Sequence, residues 1–443
     1  MRSSTRSLTR SITALALLAA ASTAPAAAQF SQYTAPGSLL ERATSKKDQM
    51  DQALDNARWR LGPLRLSPWL SIRDAAYVSD AFSGTRGGPV EAREEEPDFT
   101  ITVGAGLQGY IPFGSKTFFT FDALPQYVWW QELEDRRRLN GYYGAGLFGF
   151  FNRLTAQTTV RRAEEQAAVT PEFEQRIHAR QDYVDGLLEL EIAPTLFVFA
   201  SAYAMDFRTL TEDLGDDPRL PPFQQLDREE RVLRGGVELR YRERLRVAVG
   251  AERSEVDFSG SERDRSNSGT SPVVQFGYDS SRLRVGGGLA FRSLEPARGS
   301  EFVPFDETTG QLQLTWTPRW RLSYSAYGTR DLTYSLEEGY SHFTADRIGL
   351  AISSRLGRAS TVNLFGETGG HDYVRSAPGV LAREDDFTGF GTSLQLQFQE
   401  RVRLSMGVVR SEIDSPVPGF DRSLTIFQTS VEISAFGGAF TMR

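Results

Sequence analysis

Residues 311–327 read "QLQLTWTPRWRLSYSAY", and their alternation decides the fold. Before the proline, Gln311, Gln313, Thr315 and Thr317 hold the odd positions, while Leu312, Leu314 and Trp316 hold the even ones. After "PRW" the pattern resumes, with Leu322, Tyr324 and Ala326 set against Arg321, Ser323, Ser325 and Tyr327. A period of two belongs to a β-strand, whose successive side chains point to opposite faces. The stretch is a hairpin with one apolar face and one wet face. A turn over Pro318 to Trp320 is predicted to set Trp316 opposite Leu322 and Leu314 opposite Tyr324. The oily face lines a core in a soluble protein and meets lipid in a membrane barrel.

The same unit recurs from Leu64 to the end of the chain. About eighteen segments alternate in this way, among them "FTITVGAGLQGYI", "TFFTFDALPQYVWW", "LFVFASAYAMDF" and "LRVGGGLAFRS". Each is near the length that crosses a bilayer at a tilt. Short turns such as "FGSK", "RERL" and "TPR" alternate with long polar loops such as "SDAFSGTRGGPVEAREEEPD", "TEDLGDDPRLPPFQQLD" and "SGSERDRSNSGT". Short turns on one rim and long loops on the other suit an outer-membrane barrel, whereas a soluble sandwich gives no reason for that alternation.

Size and charge decide which face is oily. About eight strands already give a barrel just filled by side chains, so eighteen (or sixteen) would leave a wide, wet lumen. The polar face carries long charged residues such as Arg234, Glu238 and Arg240, opposed by lipid-suited Leu239, Val285, Leu289 and Phe291. Aromatic residues cluster near strand ends, in "YVWW" at 127–130 and "GYY" at 141–143, where membrane barrels carry their girdles. The predicted fold is all-β: a transmembrane, antiparallel, up-and-down β-barrel with a short N-terminal helix.

The first thirty residues point to export. Arg2, Arg6 and Arg10 precede a short apolar stretch, Ile12 to Ala21, and "AAA" at 26–28 offers a cleavage site. Residues 1–28 are read as a signal peptide, 29–61 as a periplasmic segment with a helix over 38–60, and 62–443 as the barrel. The full chain carries 50 Lys+Arg and 57 Asp+Glu; removing three arginines leaves 47 against 57, a net charge of −10. An acidic exported chain is a poor nucleic-acid partner. Cysteine is absent, which excludes a disulfide-stapled scaffold.

The catalytic inventory is thin. His178, His342 and His371 are the only histidines, and Ser341–His342 and His371–Asp372 are neighbours in sequence. Neighbours on a strand face opposite ways, so neither pair is placed to share a proton, and all three histidines are expected at the long-loop rim, facing solvent or lipopolysaccharide. "REEEPD" and "EDLGDDP" lack calcium-loop spacing and read as solvated loop charge. The glycines of "GAGLQG" and "GYYGAGLFG" lie within strands and open no helix, so they form no nucleotide fingerprint. No catalytic residue, metal site or cofactor is assigned, and no enzyme is expected.

The lumen carries the positive assignment. Phase places Arg161, Arg234, Arg240, Arg246, Arg282, Arg284, Arg292, Arg321, Arg347 and Arg403 inward. Against them stand Asp122, Glu189, Glu191, Glu238, Glu252 and Glu367. Rings of arginine select anions, and guanidinium forks match carboxylates and phosphates. The opposing reading is a set of Arg–Glu ladders that brace the wall.

The opening "LGPLRLSPWLSIRDAAYVSD", with its polar loop and "PDFTITVGAGLQGYIPFG", resembles the β-barrel porins of Gram-negative bacteria that are linked to exopolysaccharide production and export. The resemblance covers about residue 62 to the C-terminus and rests on pattern. It implies a cell outer-membrane location, with outer-membrane lipid, lipopolysaccharide and the barrel-assembly machinery as partners. It also implies porin-like passage of polar and anionic solutes or saccharides. A structural or adhesion barrel with a closed lumen and an outer-membrane barrel enzyme are the alternatives. Many such barrels end on an aromatic residue, whereas Phe440 here stands before "TMR".

Overall fold

The computed structural model describes residues 59–78, 98–170, 172–210 and 223–433, apart from 243, 259–260, 262, 320, 358, 399–401 and 418–419. It also describes Lys47, Met50, Asp51, Ala53, Leu54, Asp55 and Ala57. The expected signal peptide, the loop at 79–97 and residues 434–443 lie outside the described residues.

Among the described residues, nineteen strands form one antiparallel sheet. The first ten are β1 (Trp59–Leu61), β2 (Leu64–Val78), β3 (Asp98–Phe113), β4 (Thr117–Trp130), β5 (Arg138–Phe150), β6 (Leu154–Thr170), β7 (Phe173–Ala193), β8 (Leu196–Thr209), β9 (Arg228–Tyr241) and β10 (Leu245–Asp257). The others are β11 (Asn267–Asp279), β12 (Leu283–Pro296), β13 (Phe305–Arg319), β14 (Leu322–Tyr334), β15 (Tyr340–Leu356), β16 (Ser360–Arg375), β17 (Glu384–Phe398), β18 (Val402–Asp414) and β19 (Arg422–Ile433). Each strand pairs with the next in sequence, and β19 returns to β2 through Val431↔Ile72 and Ile433↔Leu70, so the sheet closes. Closure leaves no edge in the ring, which lipid could not solvate.

The strand count differs from the expected eighteen by β1. This three-residue strand folds back on β2 through Trp59↔Leu66 and Leu61↔Leu64. Because β3 holds the other edge of β2, β1 continues the edge that β19 occupies further along. Its turn needs Gly62, at a φ of +61°.

Long and short connections alternate, with one exception. The segment between β6 and β7, read as loop, is mostly strand: the two pair from Leu154↔Leu190 to Ala168↔Arg176 and form a tall hairpin. In the opening hairpin the faces are as read but the register is not. β13 runs on to Arg319, which pairs with Leu322, and beyond a bulge between Trp316 and Arg319, Trp316 faces Tyr324 and Leu314 faces Ala326. The slip is two residues, and an even slip keeps every side chain on its face.

The outward belt is apolar and exposed: Leu188, Leu239, Leu289, Leu314, Ile348, Leu350 and Leu364 all point away from the lumen. Trp316 and Tyr324 stack at a ring distance of 5.7 Å where β13 and β14 leave the belt. None of the described helices is long and apolar enough to cross a membrane; the strands do the crossing.

At the short-turn end, helical Met50 is buried against Phe118, Phe148 and Phe150, with Leu54 beside it. These phenylalanines project inward from β4 and β5, as the register Phe118↔Phe148 and the outward Leu139 and Leu147 require. The described part of the expected helix therefore packs inside the mouth of the barrel.

Candidate functional site: the lumen and its outer mouth

The inward face of β7 to β12 is an ion-paired wall. Arg234 on β9 pairs with Glu252 on the neighbouring β10, and Arg292 on β12 approaches the same carboxylate at 3.7 Å. Below them Arg240 is held by Glu189 of β7 and Glu238 of its own strand, with its guanidinium 3.9 Å above the Phe197 ring. Register makes these pairs. Glu252↔Arg234 and Arg240↔Arg246 lie directly across β9–β10, and Phe197↔Glu238 directly across β8–β9.

Two other inward arginines are more open. Arg161 on β6 stands 3.6 Å from Asp185 with its side chain 54% exposed, and Arg284 on β12 stands 3.7 Å from Asp279 at 46%. Arg246 lies over Gly277, directly opposite on β11, where a Cβ would strike its Nε. Arg347 on β15 sits 4.4 Å above the inward ring of Phe387, and Arg403 faces Gln397 across β17–β18. Glu367 accepts a 2.6 Å hydrogen bond from Tyr327, whose ring lies over Gly349.

Arg282 and Arg321 are placed differently from the sequence reading. β12 begins at Leu283 and β14 at Leu322, so both arginines lie exposed in short turns at the rim, and Arg282 shares no strand with Arg284. The inward phase was carried one residue outside each strand, into the turn.

The three histidines are also corrected, because all are buried rather than solvated. His342 stacks on Phe302 at 5.0 Å and meets Phe305 edge-on, and His371 lies 5.1 Å from the Phe343 ring. Ser341 and His342 do meet, with Nδ1 3.1 Å from Oγ, although they are neighbours on a strand. That hydroxyl also accepts the backbone N–H of Val303 at 3.0 Å, and the imidazole is enclosed by phenylalanine rings. The arrangement holds a loop in place and exposes no nucleophile. Asp98, the last residue of "REEEPD", is buried as well and accepts the backbone N–H groups of Glu132 and Leu133. The cluster "EDLGDDP" lies outside the described residues. Among the described residues no group of three His, Asp or Glu side chains could hold a metal ion.

The long-loop end was not legible. Above Gly310↔Arg330, β13 and β14 have no further pairs, while β14 and β15 stay paired to Tyr334↔His342. The freed tip turns across the lumen. Its Leu332, Tyr334 and Leu336 join Ile177, Met205, Phe207, Phe223, Leu226, Phe258, Phe302 and Phe305 in one buried cluster fed by β7, β8, the start of β13, the end of β14 and four loops. Arg228 of β9 lies 5.1 Å from the Phe207 ring and 5.6 Å from Tyr334.

Two buried charges tie this cluster together. Arg265, fully buried in the β10–β11 loop, donates to the carbonyls of Ser335 and Gln225 and lies 4.8 Å over Phe258. Burial, then the neighbouring Arg263 charge, pushes the Arg265 guanidinium down to about 10. Glu172, at the tip of the β6–β7 hairpin and 1% exposed, accepts the Ser335 hydroxyl and the Leu336 N–H, both at 2.7 Å. Neither residue carries a sequence signal; "SGSERDRSNSGT" reads as solvated loop.

A closed antiparallel ring with an apolar belt outside and ion-paired polar residues inside defines a membrane-spanning barrel of the outer-membrane class. No protein-family model matches the chain, and no curated protein matches it. Among solved structures it is similar to OccK2 (OpdF) of Pseudomonas aeruginosa, at 12% identity and a TM-score of 0.50, over 83% of this chain and 96% of that one. It is also similar to OccAB3 of Acinetobacter baumannii, at 11% identity and 0.48, over 83% and 98%. The F3-3 variant of the FrpB iron transporter of Neisseria meningitidis is matched at 9% identity and 0.42, over 82% of this chain, which spans 63% of that protein's length. These likenesses concern the fold.

Proposed function

We propose that the barrel passes polar solutes across the outer membrane. The observation that carries this reading is the inward face. Its ionic and hydrogen-bonding side chains, from Asp122 and Arg161 round to Glu367 and Arg403, line a ring of a size that encloses water. Carboxylates and guanidinium groups on such a face are solvated by that water and by one another, as they would not be in lipid.

Within that reading, anionic solutes and anionic saccharides are the favoured cargo, on a narrower basis than the arginine count. Arg234, Arg240 and Arg292 are matched by carboxylates and act as bracing. Arg161 and Arg284, half-exposed beside partners beyond 3.5 Å, are better placed to meet a passing carboxylate or phosphate. A closed structural barrel is the second reading, and the packed tip across the outer mouth favours it. Single-channel recording in planar bilayers separates the two. Discrete conductance steps support passage, and a folded barrel that never conducts, with or without its outer loops, supports the closed reading.

A further inference from the structure

We propose that the tip of the β14–β15 hairpin is a lid across the outer mouth, latched shut by Glu172 and Arg265. The proposal rests on the reading of the lumen as a passage and adds how that passage is controlled.

Three observations converge on the tip. First, its strand leaves the wall on one side: β14 loses β13 above Arg330 but keeps β15, and β15 keeps β16 to Tyr340↔Arg375, so the tip is free along its β13 edge and hinged along β16 without opening the ring below. Second, its contacts lie across the lumen. Ser335 and Leu336 bond Glu172, a residue 163 positions away in sequence at the β6–β7 tip, roughly half the ring from β14. Tyr334 reaches Arg228 of β9. Third, the anchoring across the lumen is polar and local within apolar packing, while on the hinge side Ser376 donates its N–H to the Gly339 carbonyl at 2.7 Å and Tyr340 its hydroxyl to the Leu381 carbonyl at 2.9 Å. Arg265 ties the Ser335 carbonyl to that of Gln225, and Arg263 donates to the carbonyls of Glu337 and Tyr340 at 2.9 and 2.8 Å.

The energetics favour a two-position element. The latch itself buries the Glu172 carboxylate and the Arg265 guanidinium, each stable there only while its backbone and hydroxyl partners stay in place. Breaking the bonds at one anchor leaves the other charge better hydrated with the tip open. Such an element opens as a unit rather than softening gradually. The ring itself, paired strand to strand below Gly310 and Arg330, does not depend on it.

The chain has no cysteine, so a single introduced thiol reports on the tip. Leu336→Cys places it in the buried cluster while keeping the backbone bond to Glu172, and Arg298→Cys serves as an exposed reference. With the refolded full-length barrel, a membrane-impermeant maleimide should label position 336 far more slowly than position 298. Adding Glu172→Gln, or separately Arg265→Met, should speed labelling at 336 by about tenfold or more, the loss of one charge-assisted anchor. Single-channel conductance of those variants should rise in parallel. Heat-modifiable gel mobility shows that each barrel is folded. If a variant fails to fold, Arg263→Ala, which removes the two bonds to the tip carbonyls, takes its place with the same expectation. Rapid labelling of Leu336→Cys in the otherwise intact chain, or no acceleration in folded latch variants, overturns the lid. Accelerated labelling without conductance upholds the lid and overturns passage.

Discussion

The assignment of faces can be tested at one pair of neighbours, Leu314 and Gln313. Leu314 stands in the outward row Leu312, Leu314, Trp316, with Val285 and Ala326 directly across on β12 and β14. An arginine there must sit in the apolar belt, where the charge costs about 2–4 kcal/mol toward the midplane. Little is regained by rearrangement, since the neighbours on both strands are apolar. Gln313 faces the other way, opposite Tyr327, whose hydroxyl is bonded to Glu367. An arginine at 313 meets water and a nearby carboxylate, and its effect should stay under about 1 kcal/mol. Leu314→Arg should therefore weaken folding into lipid vesicles by roughly 30- to 700-fold. Gln313→Arg should shift it by less than about fivefold. Urea titration followed by tryptophan fluorescence measures both. Equal damage would refute the assigned faces, and equal tolerance would refute the placement of β13 in a bilayer.

Arg234→Met should cost about 3 kcal/mol in the same titration, because Glu252 keeps only Arg292, at 3.7 Å, and adding Glu252→Gln should recover most of the loss. If the double variant is no better than the single, the pair is not the source of the cost. For the lumen, reversal potentials across a salt gradient should show anion preference. Arg161→Glu with Arg284→Glu should reduce it, while a cation-selective wild type would discard the idea. Deleting residues 30–58, which removes Met50 from the Phe118–Phe148–Phe150 cluster, should raise conductance; a truncated barrel conducting like the intact one would show that the segment does not obstruct the lumen.

Strands and faces were legible because both follow from local alternation, which the bilayer enforces along each segment. Leu314 faces out and Gln313 in under any even slip of the hairpin, so the two-residue slip went unseen without harm. β1 was missed because three residues carry no period. Arg282 and Arg321 were misplaced because turn residues continue the alternation of the strand they end. The histidines were misread for a different reason. Position near a long loop predicts exposure only if the loop stays in solvent, and here the loops fold inward and bury His342 and His371 among phenylalanines. Arg265 and Glu172 could not be found at all, since each is distinguished only by partners far away in the chain.

The same distance explains why the arginine count overstated the free positive charge of the lumen. Arg240 and Glu189 are 51 residues apart, on β9 and β7, and Arg234 and Glu252 are 18 apart across the β9–β10 hairpin; the register of neighbouring strands puts them side by side. Once paired, such groups offer a passing ion a wall of alternating charge and little net attraction, because each guanidinium already holds a carboxylate. On the proposed reading, anion preference rests on the more open arginines whose partners are distant, such as Arg161 on β6 and Arg284 on β12. With so few, discrimination between ions in the lumen should be modest. The larger control over what passes lies with the tip of β14–β15, where access to the lumen depends on two buried charges.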